Sequence, residues 1–274
     1  MSFAPSFMRL NLRGPLSTLS RLVATRNKPS APLYRDTLPR LNRAREPHRA
    51  LHTSPPALPA MSPPTSNRLI CPGLGLCPSE TPPGFLEKEL AFFAAIPWTA
   101  ALLDAPGTIA FAPPCRNPVS DAHDQLFGRT LANDRAVRQM LCLLRAESPA
   151  TALDSARAIT EIETLVSVGD GVSGFPNVVH GGIVASLLDE SMGAFFDLNI
   201  TLGKAAKAFQ SNNVTGGLNV TYLKPVPTNS VLHITVKVED MNGRKTKIQC
   251  DLKNETGVVL AKCSSMWVAL KPSL

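Results

Sequence analysis

The sequence predicts an α+β domain in which an antiparallel sheet wraps one apolar helix. Three observations in its C-terminal half predict this. Apolar and polar residues alternate through 158–168 and again from 218 to 270, one apolar stretch at 180–196 has the period of a helix, and the turns between the later strands are short. Short turns join antiparallel neighbours, so the expected order is strand, helix, then four strands in a meander.

Residues 1–60 hold ten Lys or Arg, nine of them Arg, against only Asp36 and Glu46, a net of +8. Taken from the chain's +7, this leaves about −1 for the remainder. The nearly neutral body excludes nucleic acid as the expected partner. Arg set among apolar residues, as in Met8-Arg-Leu-Asn-Leu-Arg13, is the composition of an amphipathic targeting helix, and residues 1–54 read as a mitochondrial transit peptide leading to the matrix. Arg49-Ala-Leu-His-Thr-Ser54 has the look of its cleavage region, and Met61 offers an internal start for a cytosolic form. Residues 55–84, rich in Pro and Ser, read as a linker.

Residues 85–154 read as a helical extension packed on the main domain. Leu86, Leu90, Phe93 and Ile96 recur at helical spacing within Phe85–Leu103. A second helix is expected over about 122–145 from Leu126, Leu131, Val137, Leu141 and Leu144, with the Pro-rich 113–118 stretch as connector.

The main domain is expected over 155–274. Ile162, Thr164, Val166 and Val168 alternate with Glu161, Glu163 and Ser167 as one strand. The helix follows the break at Gly169–Gly174, with apolar residues round most of its circumference. Later strands are marked by Leu218, Val220 and Tyr222, by Ile234, Val236 and Val238, and by Ile248, Cys250 and Leu252. Turns at Pro225–Asn229, Met241–Gly243 and Asn254–Gly257 separate these, and the last strand is expected from Val258 to about Leu270.

Several chemistries are excluded by pattern. No apolar run approaches the ~18 residues of a membrane-spanning helix. The six cysteines form no CxxC or CxxH pair, so neither a zinc site nor a redox motif is expected, and no metal or cofactor is called for. Gly169, Gly171 and Gly174 spell a literal GxGxxG, but Phe175-Pro176 follows instead of a helix and no parallel βαβ repeat surrounds it. Ser173 lacks the closing glycine of a nucleophile elbow.

The informative segment is His180-Gly-Gly182 opening the helix, with Asp189 inside it. Glycines at a helix start either expose backbone N–H groups and the positive dipole end to a developing oxyanion, or serve a tight turn. Asp189 lies among Ile183, Val184, Leu187, Leu188 and Met192, where an unpaired carboxylate costs several kcal/mol by order of magnitude. Desolvation raises such a carboxyl toward the range of a general base, unless local donors in a solvated groove satisfy it. Glu190 points about 100° away and is expected at the surface or an interface. Nine residues separate His180 from Asp189, roughly 13 Å along a helix, too far for one carbonyl to meet both ends. Two such helices related by a twofold axis would close the gap, which predicts a shared site in a homodimer.

His180-Gly-Gly with Asp189, then Leu218-Asn-Val-Thr-Tyr222-Leu-Lys-Pro225-Val-Pro227 and Asn242-Gly-Arg-Lys245, resembles the hotdog-fold acyl-CoA thioesterases, in particular the mitochondrial members of the thioesterase superfamily. The resemblance covers about residues 155–271. It implies a hotdog fold, an acyl-CoA substrate, a homodimer or dimer of dimers, Asp189 as catalytic carboxylate and Gly181 or Gly182 as oxyanion donor. Thr215 is similar in placement to the hydroxyl residue that helps orient water. His180 either orients the helix start and pocket or is a structural hydrogen-bonder. Thr221, Lys224 and Arg244 lie where such enzymes meet coenzyme A. The chain departs from the pattern in a longer loop containing Lys204 and Lys207 and in Leu223-Lys224, where a basic pair is common. Asp189 acting as base or as nucleophile both fit, and the same fold carries enoyl-CoA hydratases and non-catalytic acyl-CoA binders.

Overall fold

The computed structural model describes residues 68–117 and 123–271; the expected transit peptide, Met61 and the first part of the expected linker lie outside them. Two helices open the described chain, α1 (Phe85–Ala94) and α2 (Pro97–Leu103). The sequence reading made them one. Pro97 takes the first helical position, where its missing N–H costs nothing, and Ile96 before it is extended at φ −106°, ψ 119°. Part of the stretch expected as linker is packed: Leu69, Ile70 and Cys71 are buried, and Ile70 bridges Ala112.

Strands β1 (Thr108–Phe111) and β2 (Val137–Arg145) come next, then the short helix α3 (Pro149–Leu153), β3 (Glu161–Val168) and a small hairpin of β4 (Ser173–Phe175) and β5 (Val178–Val179). Helix α4 (Gly181–Thr201) follows, and then β6 (Asn213–Tyr222), β7 (Ser230–Asn242), β8 (Lys245–Lys253) and β9 (Val259–Ala269). Seven strands form one sheet in the order β1-β2-β3-β7-β8-β9-β6, every pairing antiparallel.

The helix expected over about 122–145 is corrected: its second half is β2, joined to β1 and β3. Both faces of β2 are covered. Met140, Cys142 and Leu144 enter the main core, while Leu141 and Leu143 join a second cluster with Leu86 and Phe93 of α1. A strand buried on both sides reads as an unbroken apolar run, and periodicity cannot tell that from helix. Glu89 of α1 is buried and accepts the Met140 N–H at 2.9 Å, fixing α1 on the irregular start of β2.

The four-strand meander is also corrected. β7, β8 and β9 do form one, but β6 pairs with β9 and ends at the sheet edge, while β7 pairs with β3. Residues 223–229 are therefore a crossover rather than a hairpin turn. They are held by the β4–β5 hairpin: the Val179 N–H donates to the Val226 carbonyl at 2.8 Å, and Val178 bridges Pro227. The Gly169 and Gly171 pair has a packing reason. A Cβ at either would lie within 2.7 Å of the Arg135 carbonyl oxygen, so only glycine lets the two backbones approach.

Helix α4 packs across one face of the sheet, touching β3, β6, β7 and β8. Val184, Leu187, Leu188, Met192, Phe195 and Phe196 are buried there, the central apolar helix in a wrapped antiparallel sheet that the hotdog resemblance implies. Among the described residues no helix is long and apolar enough to cross a membrane.

Candidate active site

The start of α4 is built by three side chains. His180 caps it, its Nδ1 accepting the Gly182 N–H at 3.0 Å. The Tyr222 hydroxyl donates to the Gly181 carbonyl at 2.8 Å, and Ser186 Oγ donates to the Gly182 carbonyl at 2.9 Å. The Gly182 N–H is thus engaged by His180. The Gly181 N–H has no partner among the described residues and stands at the positive end of the helix.

Asp189 lies two turns further along α4, half-buried, and accepts a hydrogen bond from Thr215 Oγ1 at 2.8 Å. Burial pushes its carboxyl above the usual carboxylate range, while the Thr215 bond pulls it back in part. Thr215 reaches Asp189 because β6 bulges. Thr215 pairs with Trp267 and Gly217 with Met266, leaving Gly216 as the extra residue, and Ser265 Oγ secures the bulge by donating to the Gly217 carbonyl at 2.8 Å. The bulge resets the alternation, so both Thr215 and Tyr222 face α4 although their numbers differ in parity.

Glu190, expected at the surface or an interface, is instead partly buried under the turn Pro114–Arg116, where the Cys115 thiol donates to its carboxylate. Burial lifts it to about 7 against the donation from Cys115.

The predicted coenzyme A contacts do not converge within one chain. Thr221 is exposed and, by alternation, on the face of β6 opposite to Tyr222. Lys224 is exposed just past the strand, where its N–H and that of Leu223 share the Leu260 carbonyl. Arg244, in the β7–β8 turn, donates to the Ala269 carbonyl at 2.7 Å, and Ala269 pairs with Asn213 at the other end of β6. The ten-residue strand separates the two cations by about 30 Å.

Tyr222, Ser186 and Ser265 were missed as site residues in the sequence. The adjacent Gly216 and Gly217 inside a strand pattern were the available signal, since a bulge is where such glycines occur.

Residues 176–261 match the family model for the thioesterase superfamily. The chain is 27% identical over 212 residues to verlamelin biosynthesis protein B of Lecanicillium sp, covering 68% of this chain and 90% of that one. It is 27% identical over 110 residues to the acyl-coenzyme A thioesterase THEM4 of Mus musculus, covering 40% of this chain and 43% of that one. The chain therefore spans less than half of the mouse enzyme it matches. Among solved structures it is similar to a hypothetical thioesterase protein with coenzyme A from Streptococcus pneumoniae, at 18% identity and a TM-score of 0.35, covering 42% of this chain and 85% of that one.

Proposed function

We propose, from the match of residues 176–261 to the thioesterase-superfamily model, that this chain hydrolyses acyl-CoA to a free acid and coenzyme A at a site shared between two subunits. The observation that carries the reading is Asp189: a desolvated carboxylate, held by Thr215 beside an open sheet edge, on the helix whose Gly181 N–H stands free. Asp189 of one subunit takes a proton from water as the water oxygen attacks the thioester carbonyl. The N–H donors at the partner's helix start, Gly181 foremost because Gly182 is engaged by His180, hold the oxyanion. Collapse of the tetrahedral species expels the coenzyme A thiolate, which recovers the proton from Asp189.

The β6 edge supports the shared site. Among the described residues β6 has a partner strand, β9, on one side only, and Val214, Leu218 and Tyr222 on it are exposed. An antiparallel pairing of β6 with a second copy of itself covers these residues and removes an unpaired edge. It also sets the Gly181–Tyr222–Lys224 end of one subunit against the Asp189–Thr215–Arg244 end of the other, drawing together the parts that a single chain keeps apart. The same reading takes Thr221, Lys224 and Arg244 as coenzyme A contacts and residues 1–54 as a targeting segment for the mitochondrial matrix.

The deciding measurement is release of free coenzyme A from a panel of acyl-CoAs of increasing length. Turnover that tracks chain length is expected. Binding without thiol release would instead identify an acyl-CoA binder, and loss of an enoyl double bond with the thioester intact would identify a hydratase. A fluorescent fusion to residues 1–54 is expected in mitochondria, and its retention in the cytosol would remove the targeting reading.

A further inference from the structure

Five buried side-chain atoms lack a hydrogen-bond partner among the described residues, and three of them lie on the adjacent strands β8, β9 and β6: Thr246 Oγ1, Trp267 Nε1 and Asn213 Oδ1. Thr246 and Trp267 are directly opposite each other across β8 and β9, and Trp267 is directly opposite Thr215, the residue that holds Asp189. Thr246 is fully buried and Trp267 is 6% exposed. Leaving such groups unsatisfied destabilises the fold, and valine and phenylalanine would fill much the same space without that cost.

The helix above them carries a glycine in the matching place. Asp189, Gly193 and Phe196 recur at i, i+4 and i+7 and share one face of α4. The Phe196 ring packs on the Trp267 indole at 4.9 Å between centroids. A Cβ on Gly193 would be in ordinary contact with the indole, 3.9 Å from its Cη2 corner, so the glycine leaves about the space of one methyl group between Asp189 and the aromatic pair. One turn of helix, about 6 Å, separates Asp189 from Gly193 along the axis. An indole N–H donates only, and a threonine hydroxyl donates and accepts, so one oxygen atom placed between them satisfies both.

We propose that Thr246 and Trp267 form a specificity pocket for an oxygen carried on the acyl chain, so that the preferred substrates are acyl thioesters with a hydroxyl or keto group a few carbons beyond the reacting carbonyl. This rests on the thioesterase reading of Asp189. It makes Thr246 and Trp267 determinants of which acyl group is accepted rather than parts of the hydrolytic machinery.

The experiment uses the full chain and acyl-CoAs of one chain length, unsubstituted or oxygenated at successive carbons from the third onward as the hydroxyl or the keto form. At least one oxygenated member is expected to exceed the unsubstituted compound by about tenfold or more in kcat/KM. In Thr246→Val and Trp267→Phe that ratio is expected to fall toward one, and the ratio is internal to each variant, so a general loss of activity does not mimic it. Thr246→Val is also expected to raise Tm in the absence of substrate, since it removes an unsatisfied hydroxyl. No preference in the wild type, or a preference that survives both substitutions, overturns the proposal. Binding of the same panel to Asp189→Asn, followed by titration calorimetry, separates the two readings: selective binding without hydrolysis in the wild type would sink the thioesterase reading and leave the pocket standing, and hydrolysis without selectivity would do the reverse.

Discussion

Asp189 and Glu190 are consecutive on α4, and burial raises the carboxyl of both, yet they face different surroundings. Asp189 looks toward β6, an edge strand whose residues are mostly exposed, and its one hydrogen-bond donor is the Thr215 hydroxyl. Glu190 lies under the Pro114–Arg116 turn against the Cys115 thiol. Desolvation alone therefore does not mark the reactive group. What separates the two is the neighbour each meets: Asp189 faces the β6 edge, which a substrate or a second subunit can reach, and Glu190 faces a turn of its own chain.

The largest effect expected from breaking this contrast is at Asp189. Asp189→Asn keeps the shape and the Thr215 contact but cannot accept a proton, so kcat should drop about a hundredfold or more while acyl-CoA binding survives. The wild-type rate should rise with pH through the raised carboxyl of Asp189, because the base acts only when ionised, and a pH profile of kcat/KM reads this directly. Full activity in the variant would remove Asp189 from the chemistry.

Next in size is complementation. Asp189→Asn mixed with Gly181→Val should recover about a quarter of wild-type activity after random subunit exchange, since half the dimers are hybrids with one intact site. The Gly181 substitution is tolerable in packing terms, because its Cβ would lie 3.6 Å from the Tyr222 ring, an ordinary contact. Failure to recover, with exchange demonstrated and both variants folded, would place the whole site within one chain.

Three of the legible strands, β7, β8 and β9, have one face buried and the other wetter, and so alternate. β3 is buried on both faces along most of its length and was legible because polar residues still stand between its apolar ones, and α4 stands out because it is apolar all round and still carries Asp189. β2 was misread because both its faces are buried, which erases the alternation. The position of β6 was misread because a seven-residue connection with two prolines looks like a turn, and only β3, remote in sequence, competes for the edge of β7. Asp189 was legible from residue type and surroundings, whereas Thr215 and His180 were drawn from the family resemblance. Tyr222 was not legible, since strict alternation sets it on the opposite face from Thr215, and the Gly216 bulge that reverses this is a single-residue event.

A smaller effect is expected at the helix start. Tyr222→Phe removes the hydroxyl that holds the Gly181 carbonyl but leaves the ring against Gly181, so the oxyanion donor loses orientation rather than existence. A fall of about threefold to tenfold in kcat with little change in KM is the expected result. An unchanged kcat would mean that the helix start is fixed by the His180 cap alone.

The smallest kinetic effect, and the sharpest test of the contrast, belongs to Glu190. Glu190→Gln should leave kcat within about twofold, because Glu190 faces the Pro114–Arg116 turn and not the β6 edge. Its signature is in stability. Burial lifts Glu190 from an ordinary 4.5 to about 7; Asp197 and Asp189 push the same way, while the Cys115 thiol and Arg68 pull it down. Because the folded value is the higher one, the folded chain keeps a proton that the unfolded chain releases between these limits. The stabilisation is present in full below about pH 4.5 and is lost as pH rises toward about 7. Wild-type Tm should therefore fall across that window more steeply than Tm of Glu190→Gln, whose amide is neutral throughout; Asp189 and Asp197 titrate in both chains, so the difference reads Glu190 together with its repulsion of these two. Parallel Tm curves would mean that Glu190 is ionised under its covering turn. A kinetic loss as large as that of Asp189→Asn would mean that the two sides of the helix are not functionally distinct.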